Sequence, residues 1–488
     1  MVTTGLCRAL ARRGIAVAPF KAQNMSTNSM VVPGPDGRGA EISRAQWIQA
    51  LAARAAPETA MNPVLLKPES DMRSQIVLRG RPFGQLAAGE YANRRAVLAE
   101  AAHRALADLR SRFDVVLCEG AGGIAEINLR AHDYVTMGLA RAADLPVVVV
   151  GDIDRGGVFA SLYGSLALLD PDDQALVAGF IINKFRGDAA LLAPGLTALT
   201  ERTGRPVLGV LPWQEDLGLD SEDSLSLAAR SENTGAAPVL RVAVVMLPRM
   251  STPTDVDALG VEPGVHVDFA ADPRLLAAAD VIVLPGTRAV FAAWDWMRSR
   301  GVDTAIIEHA RRGGTVLGIG EGCSLLGRTL HDPEGVAGVA GRSTAGLGLL
   351  DLETVLTPEP VLRLSTGAWQ GTPVSGYENH HARIRLGRGQ PFPGGLHNGP
   401  VYGTMWYGIA EHDAFRGAWL TEAAAAAGRT GGRFGQVSFA AAREARLDLL
   451  ADLVEQHLDL DALLSLITEG APRMPTLRGE LQSTAEGQ

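Results

Sequence analysis

The chain has 488 residues, which is too long for one ordinary hydrophobic core and predicts two domains of roughly 200 residues each. Apolar residues make up 47% and charged residues 20% of the chain, a composition that excludes a disordered protein. The net charge of −9, without a compensating basic stripe, excludes nucleic acid as a partner.

The cysteines and the apolar runs bear on the cellular compartment. Three cysteines, an odd and sparse set, argue against a disulfide framework and for a reducing environment. No run of 18 apolar residues predicts a membrane span, and the first residues lack the apolar core of a signal peptide. We therefore expect a cytoplasmic protein with no membrane partner.

Short β-branched runs alternate with Ala-, Leu- and Arg-rich amphipathic stretches through the first half of the sequence. The runs lie at 15–18, 114–118, 146–150, 177–182 and 207–211, and most end in polar or glycine-rich residues. Nearly continuous apolar strands separated by helices are typical of a parallel sheet covered on both faces. Ligands bind such doubly wound α/β sheets at the carboxyl ends of the strands, where these polar residues lie.

The α/β pattern restarts after a polar, aperiodic segment at 228–238, which predicts an interdomain linker. Strands are predicted at 240–247, 280–284 and 315–319, with a helix near 303–312. The second half is therefore predicted to be another α/β domain around a mostly parallel sheet.

The remainder of the second half predicts two further features. Shorter strands separated by turn residues, from about 345 to 405, predict an antiparallel extension, and a Leu-rich charged stretch at 438–467 predicts closing helices. The last dozen or so residues are polar, and we expect them to be disordered. The predicted domains are 1–230 and 239–437, followed by a C-terminal helical segment and tail at 438–488.

Four polar residues at predicted strand ends are candidates for nucleotide chemistry. Lys21 supplies a point charge for a phosphate or a substrate carboxylate, and Asn183 supplies an amide for a purine edge. Glu119 precedes glycine-rich backbone, and both it and Asp152 suit Mg²⁺ held against nucleotide phosphates. The competing interpretations are a solvated surface lysine at 21 and helix capping by Asp152.

Six strings follow one another in the first half: Lys-Ala-Gln-Asn-Met-Ser (21–26), Glu-Ile-Ser-Arg-Ala-Gln (41–46), Met-Asn-Pro-Val-Leu-Leu-Lys-Pro (61–68), Glu-Gly-Ala-Gly (119–122), Ala-Glu-Ile-Asn-Leu (125–129) and Gly-Asp-Ile-Asp-Arg-Gly-Gly (151–157). In this order they resemble the successive signatures of the cobyric acid synthase family. The resemblance covers nearly the whole chain and sets it apart from the related a,c-diamide synthase and dethiobiotin synthetase families.

The resemblance implies a fold and an activity. The fold is a P-loop NTPase-like synthetase domain, similar to dethiobiotin synthetase, followed by a class I glutamine amidotransferase-like domain. The activity is amidation of the b, d, e and g carboxylates of adenosylcobyrinic acid a,c-diamide, dependent on ATP and Mg²⁺, with nitrogen from glutamine. ATP would activate each carboxylate as an acyl phosphate, which ammonia attacks. Lys21 and Glu119 fall where the family suggests substrate or phosphate contacts and metal contacts.

The start of the sequence departs from the family pattern. The family opens with a strand and a phosphate loop that ends in Gly-Lys-Ser, whereas this sequence begins Met-Val-Thr-Thr-Gly-Leu-Cys-Arg (1–8), which resembles the helix after that loop. The loop's backbone N–H groups and lysine would cradle the phosphates of ATP. We expect the true start codon to lie upstream.

Residues 315–327 (Thr-Val-Leu-Gly-Ile-Gly-Glu-Gly-Cys-Ser-Leu-Leu-Gly) predict a strand, a tight turn and a helix. This string resembles the nucleophile elbow of class I glutamine amidotransferases, usually Gly-Ile-Cys-Gly-Gly. Gly320 holds the nucleophile position, and Glu321 lies where the oxyanion would develop. Cys323 follows about one helical turn later, and we interpret it as a small buried residue, not a substitute nucleophile.

The position of the catalytic base is also changed. Residues 401–408 (Val-Tyr-Gly-Thr-Met-Trp-Tyr-Gly) resemble the family's Gly-Thr-x-x-His-Gly string, with Tyr407 at the histidine. A tyrosine, whose ordinary pKa is about 10, cannot replace imidazole as a base at neutral pH. His380 and His381 are adjacent in a predicted strand, so they point to opposite faces and predict a structural or substrate-edge role more than a metal site.

Three hypotheses follow for the function. The first is a cobyric acid synthase homologue whose synthetase half uses free ammonia because glutaminase activity has decayed. The second is a catalytically inactive homologue that binds a corrinoid or a partner. The third is a working glutamine-dependent enzyme whose start and elbow are wrongly represented in the sequence.

Overall fold

The structure, a computed structural model, describes residues 1–70, 73–87, 91–214, 239–430 and 432–477. We call residues 1–214 the first unit and residues 239–437 the second unit. The helices and strands of the first unit are α1 (Val2–Arg12), β1 (Val17–Phe20), β2 (Gln23–Met25), β3 (Ser29–Pro33), β4 (Gly39–Ser43), α2 (Arg44–Ala52), β5 (Val64–Ser70), β6 (Arg73–Leu78), β7 (Arg81–Ala87), α3 (Tyr91–Arg110), β8 (Val115–Cys118), α4 (Met137–Ala143), β9 (Val147–Asp152), α5 (Val158–Ala167), α6 (Pro171–Gln174), β10 (Val177–Phe185), α7 (Ala193–Thr203) and β11 (Val207–Pro212).

The second unit is followed by two C-terminal helices. In chain order the elements are β12 (Leu240–Val245), α8 (Asp257–Gly260), β13 (Val265–Ala270), α9 (Pro273–Ala277), β14 (Val281–Leu284), α10 (Val290–Arg300), α11 (Val302–Arg311), β15 (Thr315–Ile319), α12 (Glu321–Leu326), β16 (Thr329–Asp332), β17 (Arg342–Ala345), β18 (Leu352–Trp369), β19 (Thr372–Leu386), β20 (Gln390–Phe392), β21 (Gly395–Asn398), β22 (Val401–Thr404), α13 (Asp413–Ala426), α14 (Phe439–His457) and α15 (Leu460–Glu469).

The five strands predicted in the first half are present and pair in parallel, but they form two sheets. β1 pairs with β8, and β9, β10 and β11 form a second sheet in the order β11-β10-β9. The expectation of one parallel sheet is therefore wrong for the described residues, where β8 and β9 share no ladder. The apolar pattern of a strand reports its burial and carries no information about which strand lies beside it.

Residues 23–87 contain antiparallel structure that the sequence interpretation missed. β2, β5, β6 and β7 form one sheet, in which β2 pairs with β5 in parallel and the other pairings are antiparallel. β3 and β4 form a separate antiparallel hairpin. The connection between β6 and β7 is the two-residue turn Arg79-Gly80, with φ angles of 49° and 78°. Two positive φ angles are typical of the turn that matches the twist of a hairpin, and an X-Gly pair between apolar runs was the available signal.

The second unit is built around a seven-stranded sheet in the order β13-β12-β14-β15-β22-β21-β20. The first five strands are parallel and the last two are antiparallel, so the prediction of a mostly parallel sheet is confirmed. β14 (Val-Ile-Val-Leu) is buried throughout, as expected for a central strand covered on both faces. Because the strands are parallel, the residues that follow β14, β15 and β22 meet at one edge of the sheet.

The antiparallel extension is present, but its strands are longer than predicted. β18 has 18 residues and β19 has 15, and they pair in one hairpin. The prediction of short strands is wrong because two prolines, Pro358 and Pro360, resemble a turn in the sequence. In the structure they lie where the register of the hairpin shifts, between Leu356 and Val361, and a bulge accommodates residues that cannot donate to the ladder.

The predicted closing helices are confirmed, and they return to the first unit. α14 packs along α1, where Arg8 forms ion pairs with Glu444 and Asp448, and Arg12 approaches Asp452 to 2.6 Å. The predicted linker at 228–238 and the predicted disordered tail lie outside the described residues, apart from the tail's first residues. Among the residues that the structure describes, no helix is both long and apolar enough to cross a bilayer.

The buried guanidinium of Arg416 connects α13 to the rest of the second unit. Arg416 is fully buried and donates to Glu262 at 2.6 Å, to the Ala410 carbonyl at 3.0 Å and to Asp413 at 2.9 Å. The second oxygen of Glu262 accepts from the Gly435 N–H at 2.9 Å. Removing one partner of such a pair leaves the other charge buried without compensation.

We expect Arg416→Met to lower the free energy of unfolding by about 3–5 kcal/mol, because the Glu262 carboxylate loses its counter-charge. Arg104→Met is the control: the Arg104 side chain is 73% exposed and forms an ion pair with Glu100 one turn away on α3. The control should change the free energy by at most about 0.5 kcal/mol. Denaturant unfolding checks both, and equal effects of the two variants would contradict the assigned role of Arg416.

Candidate functional site

The predicted elbow has the backbone of a nucleophile turn. β15 runs into Gly320, whose φ and ψ angles are 57° and −123°, and α12 begins at the next residue. The Gly320 N–H donates to the Thr404 carbonyl at 2.8 Å, which fastens the turn to β22. The strand, turn and helix predicted for 315–327 are therefore present, and Gly320 lies at the apex of the turn.

Tyr407 fills the space that a side chain at the apex would need. A Cβ atom added to Gly320 would lie 2.0 Å from the Tyr407 hydroxyl oxygen, and one added to Gly286 would lie 2.2 Å from it. The Tyr407 ring is buried and stacks on Tyr377 with 5.6 Å between centroids. Within this arrangement the apex accommodates only glycine.

The Tyr407 hydroxyl also has a fixed partner. It donates to the Glu321 carboxylate at 3.0 Å, and both side chains are buried. Burial and the negative charge of Glu321 raise the pKa of Tyr407 well above its ordinary value. The phenol therefore remains protonated at neutral pH, which supports the interpretation that Tyr407 does not act as a base.

Cys323 does not reach the apex. It lies inside α12, is fully buried, and belongs to the apolar cluster on one face of the sheet. Burial raises the pKa of the Cys323 thiol to about 12. Because the thiolate is the nucleophilic form of cysteine, this environment supports its interpretation as a small core residue.

A short loop beside the elbow carries an unusual carboxylate. Asp255 is buried, its Oδ1 accepts from the Gly408 N–H, and its Oδ2 has no hydrogen-bond partner among the described residues. Burial, followed by the charge of Glu411, raises the pKa of Asp255 to about 7. Sequence reasoning missed Asp255, which stands in no motif with a clear chemical role.

In the first unit, parallel pairing brings Lys21 and Glu119 together. Phe20 and Cys118 are opposite each other at the ends of β1 and β8, so the next residue of each strand meets the other. Lys21 Nζ lies 2.8 Å from Glu119 Oε1, and Gln49 donates to Oε2 at 2.7 Å. Burial alone would raise the pKa of Glu119, but the Lys21 charge and these hydrogen bonds outweigh it and lower that pKa.

Asp152 and Asn183 meet in the other parallel sheet. They are opposite each other at the ends of β9 and β10. Asp152 Oδ2 lies 2.6 Å from Lys184 Nζ, and its Oδ1 accepts from the Asp154 N–H at 3.0 Å. Asn183 Oδ1 accepts from the Lys184 N–H at 2.9 Å, so the amide is used partly to hold its own turn.

The two predicted magnesium ligands have separate partners. Glu119 pairs with Lys21 and Asp152 pairs with Lys184, in different sheets. Across the described parts of the chain, no group of three or more His, Cys, Asp and Glu side chains is placed to hold a metal. The structure thus brings Lys21 to Glu119 and Asp152 to Asn183, while the metal assignment stays a prediction.

A buried ion pair at the contact between the units was missed by sequence reasoning. Lys67 pairs with Glu41, and the same carboxylate accepts from Ser29 Oγ and from Asn379 Nδ2, the latter at 2.7 Å. Lys67 and Glu41 belong to the first unit and Asn379 to the second. Both charged residues lie in strings that carry the family resemblance, but their pairing depends on tertiary contacts that spacing does not reveal.

The paired histidines have structural contacts. His380 shares a strand face with Glu378 and lies 3.2 Å from its Oε2. His381 points to the other face, where its Nδ1 lies 3.0 Å from the Thr357 carbonyl, and burial lowers the pKa of His381 to about 4. The prediction that the two side chains point to opposite faces is confirmed.

A test of the crowded apex compares two glycines with positive φ angles. Gly320→Ala should lower the free energy of unfolding by roughly 1–3 kcal/mol more than Gly313→Ala, because only the former drives Cβ into another side chain. Gly313 has φ 85° and nothing within 4 Å of an added Cβ, so it reports the backbone strain alone. In a Tyr407→Ala background the difference should vanish, and its persistence there would contradict the contact.

Asp255 makes a second prediction, about pH. A carboxylic acid whose pKa is about 7 when folded and 3.8 otherwise binds more protons in the folded state between these values. The contribution of Asp255 to stability therefore falls as pH rises from about 4 to about 7 and is constant above. Asp255→Asn should gain stability relative to the parent across that window, as measured by denaturant unfolding in ammonium-free buffer. A constant difference would show that the pKa is not raised.

The comparisons with known proteins agree with this geometry. Residues 1–227 match the family described as a CobQ/CobB/MinD/ParA nucleotide binding domain, and residues 241–403 match a CobB/CobQ-like glutamine amidotransferase domain. The match to a solved glutamine amidotransferase covers 38% of this chain and 98% of that one at 15% identity, with a TM-score of 0.31.

Proteins named cobyric acid synthase are similar over almost the full chain. The protein from Mycolicibacterium gilvum (strain PYR-GCK) is 60% identical over 96% of this chain and 94% of its own. That from Mycobacterium tuberculosis (strain ATCC 25618 / H37Rv) is 59% identical over 98% of this chain and 95% of its own. The protein from Mycolicibacterium vanbaalenii is 59% identical over 97% of this chain and 94% of its own length. The chain belongs to the cobyric acid synthase family.

Proposed function

We propose that this chain is an ATP-dependent ligase that converts carboxylates of a corrinoid into amides and takes its nitrogen from free ammonia. The corrinoid implied by the family is adenosylcobyrinic acid a,c-diamide, amidated at its b, d, e and g carboxylates. Family membership supports the ligase activity, and the nucleotide-binding match supports the use of ATP. The choice of nitrogen source depends on the elbow.

The proposal that nitrogen comes from free ammonia is supported by the position of the Tyr407 hydroxyl. It lies 2.0 Å from where a side chain at 320 would begin, and it donates to Glu321. Glutamine hydrolysis at an elbow needs a nucleophile, a base and space for a tetrahedral intermediate. The described residues supply a glycine, a protonated phenol and a carboxylate in those places.

Lys21 and Glu119 are the residues we propose for the synthetase chemistry. Lys21 is 8% exposed, and its ammonium pairs with Glu119, which fixes its orientation. Such a point charge suits the carboxylate or phosphate oxygens of the reactants. The substrate carboxylate would take the γ-phosphoryl group from ATP, and ammonia would then displace phosphate from the acyl carbon and release one proton.

Magnesium is part of the proposal, with Glu119 and Asp152 as the residues that would hold it. Each carboxylate is separate and paired with a lysine, so the chain offers no protein-only cage among its described residues. An ion that takes one carboxylate, with its other ligands from phosphates and water, fits such a site, as is usual for Mg²⁺. Bound there, it would neutralise phosphate charge.

The deciding assay follows the mass of the corrinoid. The full chain is incubated with ATP, Mg²⁺ and adenosylcobyrinic acid a,c-diamide, with ammonium chloride in one arm and glutamine in the other. We expect amidation with ammonium and none above background with glutamine, because the apex lacks a nucleophile. Lys21→Met should reduce the ammonium reaction by 10-fold or more, by roughly the 1.5–3 kcal/mol of a charged hydrogen bond.

A matched variant controls the interpretation of the glutamine arm. Cys323→Ala removes the thiol nearest the elbow, and it should leave the ammonium reaction unchanged. If the parent chain uses glutamine and Cys323→Ala still does, the interpretation of Gly320 and Tyr407 is overturned. If the parent chain uses glutamine and Cys323→Ala does not, Cys323 is the nucleophile. Absence of amidation with either nitrogen source would favour the inactive homologue.

A further inference from the structure

Beside the elbow, a small cavity remains at the place where glutamine would be processed. Its volume is about 10 Å³, close to the roughly 10–15 Å³ that a single water-sized molecule requires. It is lined by residues of the loop after β12 and of the sheet edge, among them Val244, Ser251, Asp255, Gly286, Ile319 and Tyr407. The cavity is therefore too small for glutamine and large enough for one small polar molecule.

Two polar side chains of the lining lack partners within the described parts of the chain. Asp255 is 5% exposed and its Oδ2 has no hydrogen bond, and Ser251 is 7% exposed and its hydroxyl has none. Unpaired buried polar atoms are rare because their lost hydration is not replaced. Two around one small space indicate that the space is normally filled by a molecule that bonds to both.

The groups around the cavity select the chemistry of that molecule. Asp255 Oδ2 is available to accept a hydrogen bond, and the Tyr407 hydroxyl already donates its one hydrogen bond to Glu321. The Ser251 hydroxyl can accept as well as donate. A site rich in acceptors with one buried carboxylate favours a small cation that only donates.

We propose that this cavity binds one ammonium ion, held by Asp255 and Ser251, as the nitrogen source of the synthetase. On leaving, the ion transfers one proton to the Asp255 carboxylate and so to solvent, and it is ammonia that attacks the acyl phosphate. The inference rests on the proposed use of free ammonia and assigns it a site. Ammonium is close to water in size, carries four donors, and supplies the positive charge that a buried carboxylate needs.

The charged groups around Asp255 are consistent with this assignment. Glu411 and Asp257 oppose its ionisation, Arg44 favours it, and the uncharged rings of Tyr377 and Tyr407 pack nearby. Together with burial they raise the pKa of Asp255 to about 7. A bound cation would favour the ionised carboxylate, so ammonium affinity should increase as pH rises through about 7.

The loop that forms the cavity also contacts the first unit. The Met250 carbonyl accepts from Thr27 Oγ1 at 2.9 Å, and Thr254 Oγ1 lies 3.2 Å from Asn28 Oδ1. Thr27 and Asn28 directly follow the string at 21–26 that begins with Lys21. An ammonium ion in this cavity would lie at the boundary between the nucleotide-binding unit and the second unit.

The test measures binding first, without turnover. The thermal midpoint of the full chain is followed as ammonium chloride replaces sodium chloride at constant ionic strength, with tetramethylammonium chloride as a size control. We expect a saturable rise with ammonium alone, because a ligand bound only by the folded state stabilises it. Asp255→Asn, which keeps an oxygen for the Gly408 N–H, should abolish the rise, and Ser251→Ala should weaken it.

Matched buried residues control for general destabilisation. Asp332→Asn changes a buried aspartate whose two carboxylate oxygens each accept a hydrogen bond from a backbone N–H at 2.8 Å. Ser324→Ala removes a buried hydroxyl that does not line the cavity and has no hydrogen-bond partner among the described residues. For each variant, the thermal midpoint in ammonium chloride is compared with the midpoint of the same variant in sodium chloride. The ammonium-specific rise should persist in both, and its loss in both would overturn the assignment to Asp255.

The second measurement is the KM for ammonium in corrinoid amidation. Asp255→Asn should raise this KM by about tenfold or more, with little change in kcat at saturating ammonium, because the contact is to the nitrogen donor and not to the reacting carboxylate. Both control variants should keep the parent KM.

The outcomes separate this inference from the proposed function. An Asp255-dependent rise without any amidation would support the cation site and refute the ammonia-using ligase. If the chain amidates the corrinoid with ammonium, and if Asp255→Asn keeps both the rise in thermal midpoint and the KM of the parent chain, the ligase is supported and the ammonium site at Asp255 is overturned. An equal rise with potassium chloride would overturn the assignment to ammonium.

Discussion

The hydrogen bond between Tyr407 and Glu321 organises the centre of the second unit. A buried carboxylate requires a partner, and the Tyr407 hydroxyl supplies one at 3.0 Å. In doing so the phenol occupies the space beside Gly320, so the turn geometry of an elbow is kept while its apex accepts only glycine. The substitutions at 320, 321 and 407 are thus mutually dependent: each fits because of the other two.

This dependence restricts what each of the three positions can hold. A cysteine at 320 would collide with the phenol, and a smaller residue at 407 would leave the Glu321 carboxylate without a donor in a buried place. Under the proposed function, a glutaminase would therefore require simultaneous changes at these positions, because each single change leaves a clash or an unpaired charge.

The second unit also has a structural role, through its contacts with buried charges of the first unit. Asn379 donates to the buried Glu41–Lys67 pair of the first unit, and Arg44 reaches Glu411 at 2.8 Å. Glu321 also contributes to the electrostatic environment of Lys67, so the elbow and the contact between units are linked. Removal of the second unit would take these hydrogen bonds and ion pairs away from the first unit and expose the side chains that make them.

The sequence predicted the elements of the site better than their contacts. β15 and α11 lie almost where periodicity placed them, and the motifs identified Gly320 and Tyr407 as altered positions. The contact between those two residues depends on the pairing of β15 with β22, and that of Lys21 with Glu119 on the pairing of β1 with β8. Strand order is a tertiary property that the local pattern does not contain, which is also why one parallel sheet was expected in place of two. Asp255 escaped notice because its burial and unpaired oxygen follow from packing alone.

In the proposed function, the side chain of Tyr407 excludes glutamine from the elbow. Calorimetric titration of the full chain with glutamine, with Tyr407→Ala titrated in parallel, measures this exclusion. We expect only heat of dilution for the parent chain and saturable binding once the phenol is removed. Saturable glutamine binding by the parent chain, unaffected by the Tyr407 substitution, would show that the phenol does not block the elbow.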